Sequence, residues 1–217
     1  MQLSHSFSSL KLFENCPYRY YHQRIARTVT DKGGEASLNG ERIHKQLETR
    51  LLDGSALPPE LDKLEPTVQS IERMAEGGEL HVEQEMTLTY QLKPTGWWDS
   101  DAWFRSKLDV CVLRGDNAVV IDWKTGKRRP DFAQLEMFAL QVFQQYPNIN
   151  KVSSTFVWTQ TLELDKEVYN REDKSRLTKQ LLEKTTRIEQ ALAADKWPAR
   201  PSGLCKFCPC KDFCEYT

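Results

Sequence analysis

No apolar run in this chain approaches the length of a membrane span, which excludes a helical transmembrane protein. The opening residues, Met-Gln-Leu-Ser-His, lack the basic-then-apolar layout of a secretory signal, so a cytoplasmic location is expected. There is no internal repeat and no low-complexity segment. No charge of one sign dominates either. Thirty Lys and Arg stand against 31 Asp and Glu, for a net charge of −1, so bulk basicity does not announce a polyanion binder.

What is present is a globular composition. The chain is 39% apolar and 28% charged over 217 residues, enough for one large domain with a real core. A single domain over residues 1–217 is expected, with a helical part at 1–78, a central sheet at 79–170, and a long helix with a cysteine-rich tail at 171–217. Charge is unevenly spread. Met1–Thr30 carries four bases against one acid, and Asp122–Arg129 does the same, whereas Asp53–Glu85 carries nine acids against two bases. Locally basic stretches beside an acidic one suit a cleft for a polyanion, and a solvated acidic surface fits the middle segment equally.

The most informative stretch is Val119–Lys127. Three apolar residues run into Asp122, and Lys124 follows two positions later. The run reads as a buried strand ended by Thr125-Gly126. An acid and a lysine two apart on a strand project from one face. Upstream, Trp103–Leu113 reads as a strand, and Arg114–Asn117 supplies turn chemistry. A four-residue loop there pairs Leu113 with Ala118, which sets Asp109 opposite Asp122. Two such carboxylates can share a divalent cation through oxygen. An exposed hairpin face with an ordinary salt bridge is the alternative.

Around this hairpin the chain reads as a mixed sheet with helical cover. Phe7–Ala26 predicts a helix capped by Ser6 or Ser8 and interrupted near Cys16-Pro17. Its tyrosines alternate with Arg19 and Arg24, which suits base stacking and phosphate contact or simply core packing. Leu38–Leu52 predicts a second helix capped by Asn39, with Ile43, Leu47 and Leu51 inward and His44 beside them. Leu61–Glu76 predicts a third, closed by Gly77-Gly78. Glu79–Tyr90 alternates and starts the sheet, with Glu83 and Glu85 on one face. Asp131–Tyr146 predicts the helix after the Asp122 strand, with Gln134 on its first turn. Lys151–Thr159 and Thr161–Tyr169 are further strands, and Arg171–Lys196 is a long charged helix.

Four cysteines close the chain: Cys205, Cys208, Cys210 and Cys214. In a cytosolic chain they read as metal ligands rather than disulfides. Soft thiolates suit zinc or an iron–sulfur cluster. A local site would use all four, and a non-local one would use Cys16 with Cys205, Cys208 and Cys214. Cys111 reads as a small core residue.

Together these segments resemble the RecB-like branch of the PD-(D/E)xK nuclease superfamily, in particular its CRISPR-associated and AddB-type members with an iron–sulfur cluster. Ser6–Tyr20 with its lone Cys16 is similar to the opening motif. Gly40–His44 is similar to the G-x-x-x-H helix. Lys107–Asp109 matches the first acidic position, and Ile121–Gly126 matches the D-x-K strand. Gln134–Phe138 is similar to the Q-x-x-x-Y helix, with Phe replacing Tyr. The spacing from Cys205 to Cys208 to Cys214 is that of the cluster motif.

The resemblance implies an α/β, three-layer restriction-endonuclease-like core, an N-terminal helical segment and a C-terminal cluster segment. It implies metal-dependent hydrolysis of phosphodiester bonds in DNA, as an exonuclease on single strands or ends. The setting would be recombination and repair, phage DNA processing or CRISPR adaptation. His44, Asp109, Asp122 and the Trp123 carbonyl would hold Mg²⁺ or Mn²⁺, while Lys124 and Gln134 would complete the catalytic set. Cys16, Cys205, Cys208 and Cys214 would hold a 4Fe–4S cluster, with Cys210 outside. Candidate DNA contacts are Arg19, Arg24, Lys127, Arg128, Arg129 and Phe138, the basic run also fitting a solvated turn. The implied partners are DNA and, because no helicase motif is present, a helicase or CRISPR integrase. Oligomeric state is left open. The alternatives are a non-catalytic DNA-binding module of the same fold and a zinc-stabilised interaction protein.

Overall fold

The structure is a computed structural model, and it describes residues 3–31 and 33–216. The chain forms two compact units. One comprises Met1–Ser4 and Gly34–Thr178, the other His5–Gly33 and Lys179–Thr217.

The first unit is built on a five-stranded mixed sheet in the order β1 (Glu79–Leu88), β2 (Phe104–Arg114), β3 (Asn117–Lys124), β4 (Lys151–Trp158), β5 (Leu164–Asn170). All neighbours are antiparallel except β3 and β4. That parallel step needs a crossover, supplied by a helix over Phe132–Gln145. The opposite face is covered by Glu35–Asp53, a 3₁₀ turn at Pro59–Leu64, and Glu65–Ala75. The expected hydrophobic stripe holds. Ile43, Leu47 and Leu51 pack with Leu64, Val68 and Ile71 onto Val110, Val112, Ile121 and Trp123 of the sheet.

Two boundaries depart from the sequence reading. Asn39 is not a cap, because its helix begins four residues earlier behind Gly34. The segment expected as one helix over 61–76 divides before Pro66, whose ring fits a first helical turn and not an interior. The β2–β3 turn is tighter than expected. Arg114 pairs with Asn117, and Gly115 takes φ +59. Leu113 still pairs with Ala118, so the predicted register stands.

The second unit packs the Phe7–Asn15 and Pro17–Tyr20 helices, a π-turn over Tyr21–Ile25 and most of the Lys174–Ala194 helix. Ser6 and Ser9 form a reciprocal cap at the first of these. Phe13, Tyr20, Tyr21 and Trp197 form an aromatic cluster. The elements are hereafter α1 (Phe7–Asn15), α2 (Pro17–Tyr20), α3 (Glu35–Asp53), α4 (Glu65–Ala75), α5 (Phe132–Gln145) and α6 (Lys174–Ala194). Among the described residues, no helix is long and apolar enough to cross a membrane.

Candidate active site

Asp109 and Asp122 meet where the β2–β3 ladder stops. The last bridged pair is Val110 with Ile121, and one step further the two acids stand opposite. Asp109 replaces the next ladder bond with its side chain: Oδ2 accepts the Trp123 amide at 2.7 Å. Both carboxylates are nearly shielded from solvent.

Asp122 lies between Ile121 and Trp123, which face α3 and α4, so it points to the α5 side. There Lys124 Nζ lies 2.6 Å from Asp122 Oδ2 and donates to Gln134 Oε1 at 2.8 Å. Gln134 Nε2 in turn donates to Asp122 Oδ1 at 3.0 Å. Lys124 also sits over the Phe156 ring, 4.8 Å from its centroid. Asp122, Lys124 and Gln134 therefore form a closed triangle of contacts. Burial pushes the Asp122 carboxyl up. The Lys124 charge opposes that shift, and the Asp109 charge reinforces it. Although Oδ2 has its ion contact, no hydrogen bond of good geometry reaches it. A buried carboxylate oxygen with a spare lone pair is what a cation needs.

His44 reaches the site from α3, with Nδ1 3.3 Å from Asp109 Oδ1. Burial alone would lower the imidazole pKa. The Asp109 hydrogen bond and the charges of Asp109, Asp122 and Glu83 outweigh it, and the net direction is up. The G-x-x-x-H spacing has a steric reason. A Cβ on Gly40 would lie 2.9 Å from Thr125 Oγ1, so glycine lets α3 approach the end of β3 one turn before His44. A cavity of about 480 Å³ opens there, lined by Gly40, Glu41, His44, Glu48, Glu83 and Asp109 among others.

Glu83 is the residue that the sequence-derived ligand set omits. Its carboxylate, His44 and Asp109 bring one ligand atom each within 4.8 Å of one another. The cause is a backbone inversion. Leu80 and Val82 pack toward α3 and α4, and His81 lies beside the Tyr146 ring. Past Glu83, at φ +54, Gln84 donates to the Tyr146 hydroxyl, so even-numbered side chains have changed sides. The register with β2 is the same on both sides, Val82 with Val110 and Gln84 with Leu108, and the ladder skips only the step between them, where Glu83 faces Asp109. A left-handed glutamate is strained by about 1–2 kcal/mol, and such strain gathers at functional sites. Lys107 Nζ balances the carboxylate at 2.5 Å. Alternating sequence carries no mark of the inversion.

The expected DNA contacts divide. Lys127 and Arg129 are exposed on the loop after β3. Arg128 is engaged by Asp165 on two nitrogens, at 2.9 and 2.6 Å, and by Glu163 at 2.8 Å. Phe138 is 2% exposed and belongs to the core, so it offers no surface to DNA. In the second unit, Arg24 is exposed, and Arg19 is tied to Asp31 at 2.5 Å and Gln23 at 3.1 Å. Trp123 contributes its amide to Asp109 and its ring to the core.

Also in the second unit, a cavity of about 250 Å³ is lined by Cys16, Cys205, Cys208, Cys210 and Cys214. Cys16 ends α1 and caps α2. Its sulfur accepts the Arg19 and Arg200 amides, each at 3.5 Å. Cys205 Sγ accepts the Ser202 amide at 3.2 Å. Amide donors to sulfur stabilise thiolate character. Cys210 is buried. Burial and the neighbouring Cys208 push its thiol up to about 12.

Comparison with known proteins agrees with this geometry. The chain matches the family described as the PD-(D/E)XK nuclease superfamily over residues 4–215. No curated protein matches it. Among solved structures it is similar to SSO0001, with TM-score 0.52 and 13% identity, over 100% of this chain and 88% of the other. It is also similar to a candidate exonuclease from Eubacterium rectale, with TM-score 0.53 and 15% identity, over 94% of this chain and 86% of the other. At such identities these two likenesses speak to fold.

Proposed function

The chain belongs to the PD-(D/E)XK nuclease superfamily, and from that premise we propose that it is a Mg²⁺- or Mn²⁺-dependent deoxyribonuclease of the RecB-like branch, acting as an exonuclease on single strands or ends. The observation that carries this reading is the meeting of Lys124 and Asp122 at 2.6 Å beside the His44–Glu83–Asp109 group. The Eubacterium rectale neighbour's description as an exonuclease is consistent with it.

The residues fit a hard divalent cation. Three carboxylates and one imidazole make an oxygen-rich donor set, and Asp122 Oδ2 has a lone pair in reserve. His44, Glu83, Asp109 and Asp122 would hold the ion, with the Trp123 carbonyl as a further donor. When bound, such an ion polarises the scissile phosphate and makes water a better nucleophile. Lys124, fixed by Asp122, Gln134 and Phe156, directs its ammonium at the developing phosphate charge or orients the attacking water. Gln134 holds Lys124 and Asp122 in register and has the second N–H of its Nε2 left to position water. Lys127 and Arg129 take backbone phosphates, which makes binding salt-sensitive.

For the second unit we propose a 4Fe–4S cluster on Cys16, Cys205, Cys208 and Cys214, with a structural role and with Cys210 outside. What supports this is the gathering of the cysteines around one cavity, with backbone amides donating to the Cys16 and Cys205 sulfurs. The partners of this reading are DNA and a helicase or CRISPR integrase, in repair, phage DNA processing or spacer capture.

The test is digestion of end-labelled single- and double-stranded DNA with Mn²⁺ and with EDTA, using wild type and Asp122→Ala. Cleavage by the wild type alone, lost in EDTA, is expected. Equal cleavage by both proteins would remove the proposed site.

A further inference from the structure

The loop between β1 and β2 does something that turn chemistry does not ask for. Turn tips are ordinarily Gly, Asn, Asp or Pro, yet the turn Gly96–Asp99 has Trp97 and Trp98 at its two central positions. Trp98 is 86% exposed. An exposed indole on a floppy loop would mean little, but this turn is fixed from several sides. The Asp99 amide donates to the Gly96 carbonyl at 3.2 Å, and the Gly96 amide to Asp99 Oδ2 at 2.7 Å. Thr95 Oγ1 is shared between Asp99 at 2.8 Å and Asp101 at 2.9 Å. A Cβ on Gly96 would strike the Asp99 carboxylate at 2.7 Å. The loop base is tied to the sheet by Thr95 N to Thr87 O and Trp103 N to Leu88 O. Trp97 leans on Arg105, whose guanidinium lies 5.7 Å from its ring, and this leaves Trp98 outermost.

The loop also leaves the sheet at the functional end. Asp109 lies five residues past the start of β2 at Phe104, and Glu83 five before the end of β1 at Leu88, so the turn projects beyond the edge that carries the acids. Five residues of strand are about 17 Å, the length of about five stacked nucleotides at 3.4 Å each. The geometry points to Trp98 as a stacking platform for an unpaired base of the strand being cut, a few nucleotides from the scissile phosphate. A lone indole face accepts any base, so the contact favours single-stranded over duplex DNA without reading sequence. Arg105 beside it supplies a cation at the base of the platform. This inference rests on the nuclease reading for its substrate, and its test separates the two.

The experiment measures binding of a fluorescent single-stranded oligonucleotide to metal-free protein in EDTA, by polarisation, with cleavage in Mn²⁺ assayed alongside. Trp98→Ala is expected to weaken binding about 5- to 150-fold, the range of one base–aromatic stack, and Trp98→Phe to restore most of it. A fully abasic strand should bind wild type no more tightly than it binds Trp98→Ala. Trp98-dependent binding in a protein that cannot cleave would support the platform and refute the nuclease. Cleavage with identical affinities for wild type and Trp98→Ala would overturn the platform alone. A wild type that binds no oligonucleotide would overturn it too.

Discussion

Two single residues carry measurable signatures. Glu83 adopts a backbone conformation that costs energy and, in doing so, adds a third donor to His44 and Asp109. Glu83→Gln keeps the shape and removes the charge. We expect it to weaken Mn²⁺ binding about ten-fold, in the range that metal-site substitutions produce, with little change in melting temperature. Calorimetric titration checks this, and unchanged affinity would take Glu83 out of the site. His5 makes a different test. Burial, with the Arg24 charge second, lowers its pKa from 6.5 to about 4. The unfolded chain therefore binds more protons than the folded one between those values, so stability rises with pH across that window. Falling from pH 6.5 to 4 should cost roughly 3 kcal/mol. Denaturant titrations of wild type and His5→Asn across that range should differ in slope, the wild type losing more stability as the pH falls, and identical slopes would refute the account.

At the scale of elements, α3 and β3 are held together by the absence of a side chain. Gly40→Ala gains about 1 kcal/mol of helix propensity but sets a methyl 2.9 Å from Thr125 Oγ1. We expect a folded protein with weakened metal affinity, because either the Thr125 hydroxyl or α3 must give way one turn from His44. Removing the obstacle in Gly40→Ala/Thr125→Ala should recover affinity, and a double variant no better than the single would refute the steric account. The parts of this arrangement legible beforehand were those with a local cause. The Gly115-Asp116 turn fixed how β2 meets β3, and a two-residue period put Asp122 and Lys124 on one face. Gln134 was legible because β3 ends at Lys124, just before Thr125-Gly126, and a helix must begin nearby. What stayed hidden depends on tertiary context. The inversion at Glu83 runs against the preference of a glutamate, and the burial of Phe138 is decided by the sheet above it. Arg128 looked free for phosphate until Asp165 of β5 and Glu163 just before it were brought to it.

On the scale of the whole molecule, the second unit is assembled from segments far apart in the chain. Within it, Arg200 bonds both the Cys16 sulfur, through its amide, and the Glu14 carbonyl at 2.5 Å. A cluster bridging Cys16 to Cys205, Cys208 and Cys214 would make the same connection covalent. Cys205→Ala should then bleach the brown absorbance expected of the purified protein and lower its melting temperature. Closing so long a loop contributes on the order of 4–5 kcal/mol in the chain-entropy picture. A Cys205→Ala protein of unchanged colour and melting temperature would refute the assignment.

That discontinuity also sets a timetable. A ribosome adds about 5–20 residues per second, so synthesis of Gly34–Thr178 occupies on the order of ten seconds after His5–Gly33 has emerged. Throughout that interval Cys16 is a thiol whose companions do not yet exist, and the sheet can finish folding first. Delivery of iron and sulfide to the proposed cluster would accordingly be a late event, made to a chain whose larger unit has had time to fold.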